Sequence, residues 1–317
     1  MYRKAHPLFI ICQTPTHVGS GSELGVVDLP IQRERHTGFP KFEASSLKGS
    51  LREAFERGGA DALTIHRVFG YDGDSATEAV DRQIPEKERQ FSGAIGFTDA
   101  RLLLFPVKSM KGVFAWVTCL RVLKQFQMDM QLVNPDFRIS ELDGGHLESD
   151  KTYLFSANSN VREGKYVLLE EYTFEVANEL NGLVKVNGAN FPDWLAKHLF
   201  NDNGSYWSEK IKKDIVVLPD NDFKDFVNLS TEVVTRTKID NETGTVARGA
   251  LFNEEYLPAE SILYTLVLTA AEFKQNGLTE EQVREFFAGN LQRIKTFQIG
   301  ANATLGKGIA TTKLIQL

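Results

Sequence analysis

Apolar residues along the chain gather into short runs, each closed by turn-forming residues. Leu8 to Thr14 is one such run, ended by Thr14-Pro15, and the pattern predicts a buried strand. Ala94 to Val107 (AIGFTDARLLLFPV), Tyr166 to Val176 (YVLLEEYTFEV), Ser261 to Thr269 (SILYTLVLT) and Ile309 to Leu317 read as further strands, the first of them ending at Pro106. A helical period appears in two places. Leu47, Leu51, Ala54 and Phe55 share one face, which predicts a helix from Leu47 to Arg57 with Ser45 or Ser46 as N-cap and Gly58-Gly59 as stop. Thr279 to Phe287 predicts a second helix, capped by Thr279 and carrying Glu280 and Glu281 in its first turn. Phe114 to Phe126 fits both periods, and helix is favoured in its second half; a short helix is expected near Pro192-Leu195.

Between these runs the polar pattern is informative too. Tyr71 to Arg89 reads as a mobile acidic loop, and Asp129 to Lys165 as an irregular insertion. Thr231 to Phe252 reads as a hairpin, with β-branched residues in both arms, a turn at Asn241-Glu242-Thr243-Gly244, and Arg236, Lys238 and Arg248 making the arms basic. Two glycine-rich loops lie near opposite ends of the chain, each beside a strand: Pro15 to Pro30 (PTHVGSGSELGVVDLP) and 299–308 (IGANATLGKG). Their placement suggests that they pair in space. Glycine lets such loops bring backbone close to a ligand, because it lacks a Cβ and adopts φ > 0 freely.

Composition narrows the classes. With 317 residues, 42% of them hydrophobic, the chain can bury a substantial core in one elaborated domain or two small ones. No apolar window is long enough to span a bilayer, and the N-terminal apolar run is too short before its proline for a secretory signal. Cys12 and Cys119 both fall inside apolar runs and are expected as buried free thiols, so a cytoplasmic location is expected. The net charge of −6 argues against a nonspecific nucleic-acid binder, although it leaves open what one face does.

Candidate chemistry is sparse. Lys48 and Arg52 face each other one helical turn apart; either they line a solvated face, with Arg52 relieved by Glu56, or a phosphate lies against Lys48 near the helix N-terminus. The loop ending in Lys307 departs from a phosphate-binding P-loop: five residues separate Gly300 from Gly306, Gly308 follows the lysine, and a strand follows the loop. Its amides and Lys307 can still grip a sugar-phosphate chain. The six histidines show no metal-ligand spacing, and no nucleophile elbow is present. His17 reads as a general base or as a hydrogen-bonding loop residue. Asp28, flanked by Val27 and Leu29, reads as a turn residue or as a single chemical carboxylate.

Five segments in order carry a resemblance: THVGSGSELGVVDLPIQRE, the ASSLKGSLR helix start, GAIGFTDARLLLFPVKSMKGVFAWVTC, TGTVARGALFNEEYLP, and IGANATLGKG. Together, from Thr16 to Gly308, they resemble the RAMP superfamily, in particular the multi-copy backbone subunits of type III-B, or Cmr, CRISPR effector complexes. The resemblance implies an α+β fold with a ferredoxin-like, RRM-like palm. It implies one domain with insertions near 71–90, 127–165 and 180–225 and a thumb hairpin, for which 231–252 is the candidate. It implies partners: CRISPR RNA, target RNA, further copies of the chain and other Cmr subunits. It implies cleavage of target RNA every sixth nucleotide, supported by Asp28 with a divalent ion, Mg²⁺ or Mn²⁺, held there. His17, Glu254 and Tyr256 match positions proposed to assist. Ser46, Lys48, Arg52, Arg236, Lys238, Arg248, Gly300, Asn302 and Lys307 are expected along the RNA path.

The sequence also admits two other readings. The chain could be an RNA-binding filament subunit without chemistry, Asp28 serving as a cap. It could also be a stand-alone ribonuclease that cuts CRISPR repeat RNA with His17 as acid or base.

Overall fold

A computed structural model describes residues 4–315 apart from 23–24, 87–88, 140–146, 181–183, 187, 201–203, 238, 241, 247–250 and 275. Its centre is an antiparallel set of strands in the spatial order Ile309–Leu314, Lys4–Cys12, Ile262–Thr269, and then Ile95–Phe97 with Ala100–Lys108. In chain order these strands alternate with two helices, Ala44–Arg57 after the first strand and Glu280–Ile294 before the last. From the second half of Ala100–Lys108 the sheet continues through Phe114–Cys119, Ile215–Leu218, Lys151–Leu154, Tyr172–Glu179, Tyr166–Leu169 and Arg162–Glu163. This extension is mixed: Ile215–Leu218 runs parallel to Phe114–Cys119, and Lys151–Leu154 parallel to Tyr172–Glu179. The molecule is therefore a mixed α/β fold around one long sheet.

The first strand is buried continuously from Pro7 to Cys12 rather than alternately. Continuous burial requires cover on both faces, and two helical layers supply it. Helices Ala44–Arg57 and Glu280–Ile294 meet through Phe55 and Phe287, with ring centroids 5.6 Å apart, and Phe97 of the sheet packs against Phe287. Phe9 meets Phe126 of helix Leu120–Gln131 and Trp194 of helix Phe191–Leu199. Phe126 also packs edge-on to Tyr264 at 4.8 Å, a favoured aromatic geometry.

Several expectations hold and several change. The first and third central strands, the change from strand to helix within Phe114–Phe126, the short helix at 192–195 and the Thr279 N-cap are all present, and Gln282 completes a capping box with Thr279. The run 94–107 is two strands broken at Thr98-Asp99, and Pro106 lies inside the second of them. The run 166–176 is likewise a hairpin of two strands. The helix after the first loop starts earlier, at Ala44, with Glu43 rather than Ser45 or Ser46 at its cap. Side chains from elsewhere replace a local cap: Gln32 Oε1 accepts from the Glu43 N–H and Asp99 Oδ1 from that of Ala44. The segment 71–89 is not a bare loop. It contains helix Glu78–Gln83, capped by Thr77, and is tied down by Tyr71–Asp81 and Arg89–Asp81 contacts. The expected insertions at 127–165 and 180–225 contribute sheet strands, Lys151–Leu154 and the fully buried Ile215–Leu218.

Both cysteines are free and buried, and burial pushes the Cys12 thiol up to about 12 and that of Cys119 higher still. Among the described residues, no helix is long and apolar enough to cross a membrane.

Candidate functional site

The two glycine-rich loops do meet. The Ala301 N–H donates to the His17 carbonyl at 2.9 Å, and the Gly308 N–H donates to the Pro15 carbonyl at 3.0 Å. Gly300 makes this joint possible. Its φ is +81°, and a Cβ there would lie 2.1 Å from the His17 carbonyl oxygen. Only glycine satisfies both conditions.

A third element enters the joint, strand Phe252–Tyr256. It pairs with Glu232–Arg236 in a two-stranded ribbon, and its other edge binds the first loop: Leu29 N–H donates to Asn253 O, and Glu255 N–H to Leu29 O. The ribbon continues toward a turn in which Asp240 Oδ1 accepts from the N–H groups of Glu242 and Thr243. Lys238 and Arg248 fall outside the described residues. The observed pairing joins 232–236 with 252–256, so the base of the hairpin extends four residues past Phe252.

Strand alternation sends Glu254 and Tyr256 to one face and Glu255 to the other. Glu255 is a pin. Its Oε1 accepts from Arg33 at 2.5 Å and from the Thr231 hydroxyl at 2.7 Å, and its Oε2 from the Ile31 N–H at 3.0 Å. Arg33 in turn reaches Gly38 O, Val227 O and Asn228 Oδ1. Sequence reasoning did not single out Glu255 or Arg33. The available signal was a pair of adjacent glutamates in a strand; two-sided burial of both demands a cation and hydrogen bonds for each.

Glu254 and Tyr256 form the second cluster. The Tyr256 hydroxyl, in a fully buried side chain, donates to Glu254 Oε2 at 2.6 Å and accepts from Asn302 Nδ2 at 3.0 Å and from Arg236. Asn302 Nδ2 also donates to Glu254 Oε1 at 2.6 Å, and Arg236 Nε lies 2.6 Å from Glu254 Oε2. Burial works against the Glu254 charge, but the bonds from Tyr256 and Asn302 and the charges of His17 and Arg236 outweigh it, so its pKa is lowered. Burial, followed by the bond to Glu254, raises that of Tyr256. Lys307 Nζ lies 4.9 Å from the Tyr256 ring centroid, within cation–π range.

His17 joins this cluster from below. It is 6% exposed, its ring lies edge-on to Tyr256 at 5.7 Å, and Nε2 is 3.7 Å from Glu254 Oε1. Nδ1 is 2.6 Å from the Glu255 carbonyl, which can only accept, so Nδ1 carries the hydrogen. Its hydrogen-bonding role is thereby realised within the fold.

Asp28 is the opposite case. It is exposed, and its Oδ2 accepts from the Asn253 N–H at 2.7 Å, one residue before Glu254. The structure thus gathers Asp28, His17, Arg236, Glu254, Tyr256, Gly300, Asn302 and Lys307 around one strand end and two loops. Among the described residues no group of three His, Cys, Asp or Glu side chains could hold a metal. Among the described residues Asp28 is the carboxylate that could hold a divalent ion here, with other ligands from phosphate and water, a common arrangement for Mg²⁺.

The helical cations stand apart. Arg52 is turned into the fold rather than toward a ligand: it pairs with Glu56 at 2.9 Å and donates to Gly70 O, with further contacts to His66 and Ser75. The expected relief by Glu56 is present. Lys48 has no carboxylate partner among the described residues, and burial, with Arg52 nearby, lowers its pKa. Ser46 is linked through Gln32, whose amide donates to Ser46 Oγ at 3.4 Å and to Gly19 O at 3.2 Å, so the helix start and the first loop are connected.

Residues 9–311 match the model of the RAMP superfamily. The chain belongs to that superfamily. It is 37% identical over 317 residues to the CRISPR system Cmr endoribonuclease Cmr4 of Pyrococcus furiosus, covering 98% of this chain and 96% of the relative. It is 27% identical over 323 residues to the CRISPR system CMR subunit Cmr4 of Saccharolobus solfataricus, covering 97% and 96%. The crystal structure of oligomeric Cmr4 from Pyrococcus furiosus aligns with a TM-score of 0.66 at 30% identity, over 98% of each chain.

Proposed function

We propose that this chain is a backbone subunit of a type III-B CRISPR ribonucleoprotein that cleaves target RNA, with Asp28 as the catalytic carboxylate. CRISPR RNA, complementary target RNA, further copies of the chain and other Cmr subunits are its partners. Full-length similarity to a Cmr endoribonuclease supports the class of activity. The observation that carries the site assignment is the exposed Asp28 carboxylate, oriented by the Asn253 N–H at the joint of two glycine loops and a projecting ribbon. The central β-α-β-β-α-β order is read as the ferredoxin-like palm. The ribbon is read as the base of the thumb. Val233, Ile239 and Val246 of the ribbon are exposed, as expected of a surface meant to meet a partner.

The chemistry asked of the protein is modest. In cleavage by the RNA's own 2′-oxygen, that oxygen attacks the adjacent phosphorus and the 5′-oxygen leaves, once the three atoms are in line. Holding one nucleotide splayed from its stack supplies most of this alignment. Asp28 can take the 2′-hydroxyl proton as general base. A divalent ion bound at Asp28 would stabilise charge on the phosphate. Base pairing reads the sequence, so the chain needs only backbone grip.

The test is cleavage of end-labelled complementary RNA by the reconstituted complex, with and without EDTA. A ladder at six-nucleotide intervals that disappears with chelator is expected. A ladder that persists in EDTA removes the metal, and no ladder removes the nuclease and leaves a filament subunit in which Asp28 caps Asn253. A stand-alone nuclease using His17 has less support, because that ring is buried and hydrogen-bonded.

Lys48 is proposed as a phosphate contact. Lys48→Ala is expected to weaken RNA binding and to reduce the slope of log affinity against log salt by about one. Titrations at several salt concentrations measure it; an unchanged slope returns Lys48 to a solvated face.

A further inference from the structure

We infer that Asn302 and Arg236 are positioning residues for cleavage, acting through Glu254 and Tyr256 on the strand that holds Asp28. The inference rests on the proposed nuclease reading. It reassigns both residues from the RNA path to the support beneath the site.

A hydroxyl has one hydrogen to give and two lone pairs to fill. Tyr256 uses all three: it donates to Glu254 and accepts from Asn302 and Arg236. Glu254 is engaged at both oxygens, by Asn302 on Oε1 and by Tyr256 and Arg236 on Oε2. Both side chains are buried, so neither presents a free polar atom to a substrate. Their partners come from different elements. Arg236 ends the first strand of the ribbon, and Asn302 belongs to the second glycine loop. The cluster therefore joins the ribbon, the second loop and, through His17, the first loop.

Its mechanical output is local. Asn253 directly precedes Glu254, and its N–H holds Asp28 Oδ2 at 2.7 Å. Any rotation of strand Phe252–Tyr256 moves that N–H and with it the carboxylate. Asn302 is suited to the task because its backbone is left-handed, φ +64°, a conformation asparagine tolerates and most residues do not. It places the amide nitrogen on two acceptors at once.

Asn302→Asp gives a diagnostic test. Aspartate tolerates the same backbone, but its carboxylate would face Glu254 where a donor now lies 2.6 Å away. Two carboxylates that close ionise in separate steps, one of them at raised pH, and share a proton below it. Single-turnover cleavage by the reconstituted complex at saturating target RNA is expected to fall about 10- to 100-fold at about pH 8. The deficit relative to wild type should shrink as pH is lowered toward about 6, where the shared proton restores a bond. Asn302→Gly keeps the backbone and removes the amide without adding charge, so its deficit should be similar at every pH. Target affinity should stay within about twofold for both, since neither change removes a phosphate cation. Wild-type rates and profiles for both variants would overturn the inference. So would a deficit in Asn302→Asp that does not depend on pH. An Asp28→Ala complex run alongside separates the two levels: if it cleaves normally, the nuclease reading fails, whereas if it is inactive and the Asn302 variants are normal, only the positioning role fails.

Discussion

Asp28→Asn is expected to slow target RNA cleavage by about 10²- to 10⁴-fold, the usual range for loss of a general base. The substitution is chosen because it is nearly isosteric. The asparagine oxygen can still accept from the Asn253 N–H, so the loop stays where Leu29 and Glu255 tie it to the strand. What disappears is the negative charge, and with it proton abstraction and the exposed carboxylate that Asp28 offers to a divalent ion. Asp28 is exposed and makes one hydrogen bond among the described residues, so folding stability should change by less than about 0.5 kcal/mol. Guide RNA affinity should be unchanged. The measurements are single-turnover cleavage and equilibrium guide binding of the same reconstituted complex. Normal cleavage would show that the carboxylate is only a cap; lost cleavage together with lost guide binding would show a damaged loop and not a missing base.

The second large effect is on stability. Gly300→Ala should destabilise the chain by roughly 2–5 kcal/mol, from a left-handed backbone and from overpacking together. The new methyl would meet the His17 carbonyl oxygen at 2.1 Å, and that oxygen cannot retreat without breaking its bond to the Ala301 N–H. Gly306 is the control. Its φ is +70°, but a Cβ there meets nothing within 4 Å. Gly306→Ala should therefore cost only the backbone term, about 1 kcal/mol. Denaturant melts of the three proteins separate strain from contact. Equal losses for the two variants would mean that the loops separate easily and that their meeting is not a fixed joint.

How much of this could be read beforehand differs by element. The strand Lys4–Cys12 was legible as an apolar run closed by Thr14-Pro15, and the helix Ala44–Arg57 because one-sided burial writes a period into sequence and Gly58 marks its stop. The break at Thr98-Asp99 was not, since two successive buried strands leave one uninterrupted apolar run. Ile215–Leu218 was missed for a related reason: four apolar residues are too few to stand out, and their strand character comes from neighbours distant in sequence. At the candidate site, the pairing of the glycine loops could be anticipated from their placement beside strands. The pairing of Arg52 with Glu56 could be anticipated too, but its contacts to His66, Gly70 and Ser75 could not, because those residues are distant in sequence and carry no local signal that they face the helix.

By itself the sequence determined the local vocabulary: which runs are buried, where glycine permits a tight approach, and that Asp28 sits between apolar neighbours at the end of the first loop. It also carried the ordered motifs that mark the superfamily. Only the tertiary structure decided which polar groups face outward. Glu254 and Tyr256 look as available as Asp28 in the one-dimensional pattern, yet they are buried and hydrogen-bonded to each other and to Asn302 while Asp28 is exposed. The reason is that hydrogen-bond satisfaction depends on what arrives from elsewhere in the chain, and here Arg236, Asn302 and His17 arrive from three separate segments.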